Sequence, residues 1–300
     1  MSFVPIGLLF LRLMACLPRP VGRAVGRTLG RLLLRLAHSR RQVTRTNITL
    51  CFPEKSQSEI DAITRACFID NGIGLIETAW AWYRPMETVL PEVRFSGLEH
   101  VTARAEGQGI LLLCPHYSML DLVAPIIHQA VGRFVVTYRP NDNPTFDQAV
   151  CQGRQRYADL IDVRAMRETL KALKGGKVVW FGPDQDMGPK GSVFAPFFGH
   201  LACTVTTPSR LLSLTNARPV FLSLRRVADV YEAHFSSFPD GYPSDDLVAD
   251  ATLLNATIET AIRGAPTQYM WMHKRFKTNP DLSRQTRYLE TEASESQPPQ

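Results

Sequence analysis

The strongest constraint on how this chain folds is a set of short runs that are apolar without alternation. They are Ile110 to Cys114 (ILLLC), Phe134 to Tyr138 (FVVTY) and Val178 to Gly182 (VVWFG). Successive side chains of a strand point to opposite faces, so a strand with one wet face alternates polar and apolar residues. A strand that is apolar at nearly every position has to be covered on both faces. The runs predict strands at 109–114, 133–138 and 177–182, with two further strands at 218–224 and 230–236. The stretches between and after them read as helices at 118–130, 143–158, 164–174, 207–216 and 244–263. Leu247, Ala251, Leu254, Ile258 and Ala261 keep a helical spacing, and Gly264 and Pro266 end it. Strands alternating with helices give an α/β fold, with a mainly parallel central sheet covered by helices on both faces.

Upstream of this region the texture is purely helical. Ile69, Ile73, Ile76, Trp80 and Tyr83 share one face of a helix, which is expected to begin near a capping box of Ser58 and Asp61. A chain of 300 residues with 45% hydrophobic and 21% charged residues is long enough and apolar enough to bury a substantial core.

The charge is unevenly placed. The net charge is +6, yet the nine arginines before residue 54 meet no acid until Glu54, so the remainder carries about −3. Residues 3–17 are apolar apart from Gly7 and Arg12, and Arg19, Arg23, Arg27, Arg31 and Arg35 then recur every fourth residue. Val21, Val25, Leu29, Leu32, Leu33 and Leu36 fill the other side of such a helix. An arginine-faced helix after an apolar stretch suits the surface of an anionic bilayer. The run is shorter than the roughly 18–20 apolar residues of a bilayer span and holds an internal arginine. It lacks the leading charge and small-residue cleavage site of a secretory signal. We therefore divide the chain into a membrane-associating helical segment at 1–45, an α/β body at 46–283 and a polar tail at 284–300, expected to be disordered.

Six cysteines form no C-x-x-C pair and none stands near a histidine at zinc-ligand spacing, so free thiols are expected and no metal site.

The chemistry points to His116. It follows Pro115 at the end of the first core strand, and Asp121 follows five residues later. Reactive groups in open α/β sheets gather where strands end. A carboxylate that accepts a hydrogen bond from one imidazole nitrogen fixes the tautomer and leaves the other nitrogen as a base. No G-x-S-x-G elbow supplies a serine nucleophile, so the natural nucleophile is a substrate hydroxyl. Two other strand ends carry polar groups: Arg139 and Asp142 after 133–138, and Asp184 and Asp186 after 177–182. Arg154 and Arg156 sit on the helix between them.

Taken together, RTNITLCFPE at 45–54, PHYSMLD at 115–121, YRPNDNP at 138–144, GRQR at 153–156, PDQDMGPKGSVFAPFFG at 183–199 and QYMWMHKRFKTNP at 268–280 resemble the lipid A biosynthesis acyltransferases. These are the late lauroyl and myristoyl transferases of Gram-negative bacteria. The wider glycerolipid acyltransferases share the fold and the histidine–acid dyad, but their E-G-T-R block is absent and PDQD stands in its place.

The resemblance implies transfer of a fatty acyl group from acyl carrier protein to a hydroxyl of a lipid A precursor, at the cytoplasmic face of the inner membrane. It implies no cofactor and no nucleic-acid partner. His116 and Asp121 match the family's catalytic dyad, and Arg154 and Asp184 match its further essential arginine and aspartate. On this reading Asp121 holds His116, backbone N–H groups at the start of the following helix meet the oxyanion, and Asp184 positions Arg154 or the sugar.

Arg164, Arg167, Lys171 and Lys174 share one helix face and are candidates for docking the acidic carrier, although a solvated face has the same pattern. Phe194, Phe197 and Phe198 suit an acyl channel or the core equally. A different lipid or glycan hydroxyl as acceptor, or water in a thioesterase, are the alternatives that keep the same dyad.

Overall fold

The computed structural model describes residues 4–281, 287 and 288. Four helices come first: α1 (Val4–Ala15), α2 (Arg19–Leu36), α3 (His38–Cys51) and α4 (Gln57–Tyr83). They are followed by α5 (Met86–Val89), β1 (Val93–Ser96), α6 (Glu99–Thr102), β2 (Ile110–Leu113), α7 (Val123–Val131), β3 (Phe134–Tyr138), α8 (Pro144–Gln155) and β4 (Ala158–Asp162). The rest are α9 (Met166–Lys174), β5 (Val178–Phe181), β6 (Ser192–Phe197), β7 (His200–Val205), α10 (Thr207–Ser213), β8 (Arg218–Val227), β9 (Val230–Ser237) and α11 (Leu247–Gly264). The polar tail at 284–300 lies outside the described residues but for 287 and 288.

Seven strands form one sheet in the order β1-β9-β8-β2-β5-β3-β4. Every neighbouring pair in it is parallel except β8 with β9, which form an antiparallel hairpin. β6 and β7 make a separate two-stranded antiparallel ribbon. The strand β2 is buried at all four positions, and its side chains divide between two cores. Leu111 and Leu113 join one core with residues of α3, α9, α10 and α11. Ile110 and Leu112 join the other, with residues of α7, α8 and the end of α4. The unalternating apolar runs thus have the two-sided cover that their composition demands.

The N-terminal helices pack onto this body. Gly22, Gly26 and Gly30 of α2 run along α4, where Gly72 lies so close that an added Cβ would stand 2.2 Å from the Gly26 oxygen. This contact redistributes the arginine stripe. Arg23, beside the glycine edge, is 3% exposed, donates to the Ala228 carbonyl and pairs with Asp229. Arg19 donates to the Thr88 carbonyl. Arg27, Arg31 and Arg35 remain exposed.

The start of α4 also differs from expectation. Ser56 and Glu59 form the capping box, two residues before the expected Ser58 and Asp61, and Asp61 instead accepts a bond from Arg45. No helix among the described residues is long and apolar enough to cross a membrane.

Candidate active site

The register of the sheet assembles the site. β2 and β5 are adjacent and parallel, and Leu113 is level with Phe181. The chain leaves both strands through matched tripeptides, Cys114-Pro115-His116 and Gly182-Pro183-Asp184. Each proline lacks the N–H that would continue the ladder, so both strands stop at the same height. His116 and Asp184 therefore meet. Nδ1 of His116 lies 2.7 Å from Oδ1 of Asp184, and the His116 N–H donates to Oδ2 at 3.1 Å. The His116 carbonyl accepts the Met270 N–H at 3.0 Å, and the ring sits edge-on to Trp180. Gly182 leaves the room the ring needs, for a Cβ there would stand 2.4 Å from His116 Cε1.

Asp184 is 2% exposed. Burial alone would raise its pKa. The charge of the His116 imidazole and the ring and backbone bonds from His116 outweigh that, and hold it at about 2. An ionised carboxylate on Nδ1 keeps the proton at that nitrogen and leaves Nε2 as the basic position.

This reassigns two expected partners. Asp121 does not touch His116. It lies in a 3₁₀ turn, Leu120–Leu122, that precedes α7, and it accepts a bond at 2.7 Å from Nε of Arg154 in the last turn of α8. Asp184 in turn holds the imidazole and not Arg154. Burial lowers the pKa of Arg154 but the charge and hydrogen bond of Asp121 more than reverse this, so the guanidinium stays charged.

The helix expected from residue 118 begins as that turn and becomes α-helical only at Val123. The Ser118 N–H, close behind His116, is donated to the Gln268 carbonyl. The Ser118 amide is thus spent within the protein, while Val123 and Ala124 at the start of α7 line the same cavity as His116.

His116, Asp121 and Arg154 line one cavity of about 700 Å³. Its inner wall is apolar and buried: Val123, Ala124, Ile127, Phe134, Val136 and Trp180. Its rim carries four exposed cations, Arg139, Arg164, Lys190 and Lys277. Arg164 is tied to Asp162 in a two-pronged ion pair. Arg167, Lys171 and Lys174 are exposed on α9 and do not line the cavity. Asp142 also lies away from it, and Arg156 is spent on the Ala81 and Arg84 carbonyls at the end of α4. Phe197 and Phe198 are core residues packed with Phe52, Trp271 and Phe276, so the apolar wall comes from α7, β3 and β5 instead. Among the described residues no cluster of His, Cys, Asp or Glu is placed to hold a metal ion.

The segment after α11 closes the site, and no role in it was legible from sequence patterns. Gln268 is held by two bonds to the backbone of Arg226, whose guanidinium is locked between Glu77 and Asp70 of α4. Five residues on, His273 reaches the cavity wall. The signal available for it was the QYMWMHKRFKTNP motif, whose order along the chain gives no hint that it lies against His116.

Comparison with known proteins shows the family. The model of the bacterial lipid A biosynthesis acyltransferase family matches residues 2–278. The chain is 37% identical to the lipid A biosynthesis lauroyltransferase of Escherichia coli K12, over 94% of this chain and 92% of that protein. It is 35% identical to the palmitoleoyltransferase of the same organism over 80% of each chain. It is 34% identical to a lipid A biosynthesis acyltransferase of Haemophilus influenzae, over 92% of this chain and 90% of that one. A family match across nearly the whole chain, and relatives this similar over nearly their whole length, establish that the chain belongs to the bacterial lipid A biosynthesis acyltransferases.

Proposed function

We propose that this chain transfers a fatty acyl group from acyl carrier protein to a hydroxyl of a lipid A precursor, with His116 as general base. The observation that carries the reading is an imidazole, fixed at Nδ1 by a buried carboxylate, at the wall of a cavity that is apolar inside and basic at its rim. An acyl chain suits the inner wall. A phosphorylated glycolipid and the phosphopantetheine of an acidic carrier both suit a rim of arginines and lysines.

In the reaction, His116 Nε2 takes the proton of the acceptor hydroxyl as its oxygen attacks the thioester carbonyl carbon. The new C–O bond forms first and leaves a tetrahedral oxyanion. Its collapse breaks the C–S bond, and the thiolate recovers the proton from the imidazolium. Asp184 stabilises that imidazolium. Arg154, steadied by Asp121, brings a fixed positive charge to the same cavity for the oxyanion or an acceptor phosphate. Arg164, Arg167, Lys171 and Lys174 are the surface we assign to carrier docking.

The N-terminus supports a place at the cytoplasmic face of the inner membrane. Ile6, Leu9 and Leu13 of α1 are 66, 58 and 57% exposed and share one helix face. α1 packs against α4 and α8, and α8 carries Arg154, so the apolar face and the cavity share an element. Beside it, Val21, Leu32 and Leu36 of α2 are exposed together with Arg27, Arg31 and Arg35. This arrangement suits lying in the interface.

The test is turnover of the purified chain with acyl carrier protein thioesters, with and without a lipid A precursor, read by mass spectrometry. An acylated precursor is expected. His116→Ala should reduce the rate by about 10²–10⁴-fold or more with an unchanged melting temperature. Undiminished transfer in that variant overturns the mechanism. Release of free fatty acid alone, or acylation of a different lipid, overturns the assigned acceptor.

A further inference from the structure

His273 is a second imidazole at the reaction cavity, and its hydrogen bonds fix where its proton lies. Its backbone is clamped: Asn47 Nδ2 donates at 2.8 Å to the carbonyls of both Trp271 and His273. Its ring Nε2 sits 3.1 Å from the backbone nitrogen of Asp186. An amide nitrogen can only donate, so Nε2 must present its lone pair. The ring proton therefore belongs on Nδ1, and Nδ1–H has no hydrogen-bond partner among the described residues. Asp186 is itself rigid, because its carboxylate accepts from the Gly188 N–H and from both the N–H and the hydroxyl of Thr278. The same cavity is lined by His116, Arg154 and His273.

Building on the acyl-transfer reading, we propose that His273 is a neutral hydrogen-bond donor, through Nδ1–H, to the thioester oxygen of the acyl donor as it becomes an oxyanion. The Ser118 amide behind His116 is already spent on Gln268, and a donor at His273 would share the developing charge with Arg154, which lines the same cavity. A neutral imidazole serves well here. It stabilises the developing charge without presenting a second cation to the general base. Its neutrality is supported by burial, which lowers its pKa to about 4 against the raising effect of Asp184.

Two isosteric variants separate this role from a structural one. Asparagine places a side-chain amide near the position of Nδ1. Glutamine reaches the position of Nε2, where its oxygen can accept the Asp186 N–H. If His273 donates to the reacting oxygen, His273→Asn keeps kcat within about tenfold of wild type. His273→Gln then loses about 10²–10³-fold in kcat, with KM for the acyl carrier and the melting temperature little changed. If the ring only anchors Asp186, the order reverses. A reversed order, equal loss in both variants, or near-normal kcat in both overturns the proposal.

Wild-type enzyme supplied with thioester and precursor is the reference. Should it fail to transfer, the functional reading falls and takes the role of His273 with it, whereas the variant results in an active enzyme overturn that role alone. Ring ¹⁵N shifts of wild type at pH 7 give an answer that does not depend on how the variants fold. A protonated Nδ1 is expected at His273, and a protonated Nε2 overturns the assignment.

Discussion

At the scale of single residues, the half-buried His273 and the buried Asp184 titrate in separate ranges. His273 is held to about 4, below the ordinary histidine value near 6.5, because burial disfavours its cation. The unfolded chain takes up that proton first as pH falls. Stability is therefore full above about 6.5 and is lost progressively down to about 4. The sign for Asp184 differs only in where it acts. With a pKa held at about 2, its contribution is complete above the unfolded value near 4 and disappears as pH falls towards 2. At about 1.4 kcal/mol per unit, the histidine effect is on the order of 3 kcal/mol. Urea unfolding at pH 7 and pH 4.5 measures it: wild type should lose more stability over this interval than His273→Gln by that order. Parallel losses in the two proteins would show that His273 titrates normally.

At the scale of elements, the contact of α2 with α4 is made by backbones. A Cβ at Gly72 would meet the Gly30 nitrogen at 2.4 Å and its Cα at 2.7 Å, atoms that cannot rotate away. Gly72→Ala must push the helices apart, and overpacking of this kind costs about 1–3 kcal/mol. Thermal melting of the variant checks this, and an unshifted midpoint would mean that the helices are loosely docked.

The same contact marks what the sequence conveyed and what it withheld. The stretch VGRAVGRTLGR repeats both arginine and glycine every fourth residue. Read for charge it promised a continuous basic stripe; the glycines decided the packing, and Arg23, next to Gly22, was buried, while Arg27 and Arg31, next to the tighter contacts of Gly26 and Gly30, stayed exposed.

Strands followed a similar rule. The central β2, β3 and β5 were legible because cover on both faces removes polar residues. The edge strands β1 and β4, VRFS and ADLID, have half-buried or exposed positions and carry no such mark. The ribbon of β6 and β7 holds Pro196 and turns through Phe198 at φ 48°, which hid it as well. At the site, His116 and Asp184 could each be picked out alone. Their pairing depended on β5 inserting between β2 and β3, an order that a separation of 68 positions along the chain does not reveal. Asp121, nearest in sequence, was the natural partner to choose. Parallel strand ends set at one level overrode that proximity.

At the scale of the whole molecule, α1 and α2 bring exposed apolar side chains and exposed arginines together. Each fully exposed leucine or isoleucine that leaves water on entering the interface gains about 1.5–3 kcal/mol, at least tenfold in binding. Each arginine close to an anionic surface adds about 1 kcal/mol, and salt screens that part but not the apolar one. Replacing Ile6, Leu9 and Leu13 of α1 with serine removes only side chains that already face outward, so the body should fold unchanged. Flotation with phosphatidylglycerol-containing vesicles should then fall by at least a hundredfold in apparent affinity at all salt concentrations. Replacing Arg27, Arg31 and Arg35 with glutamine should instead weaken binding at low salt and leave the high-salt remainder intact. The two responses differ because one depends on area removed from water and the other on charge at a screened surface. Equal flotation of wild type and the serine variant would remove α1 from the membrane contact. The approach of an acyl acceptor to the cavity would then have to run along a different face of the protein.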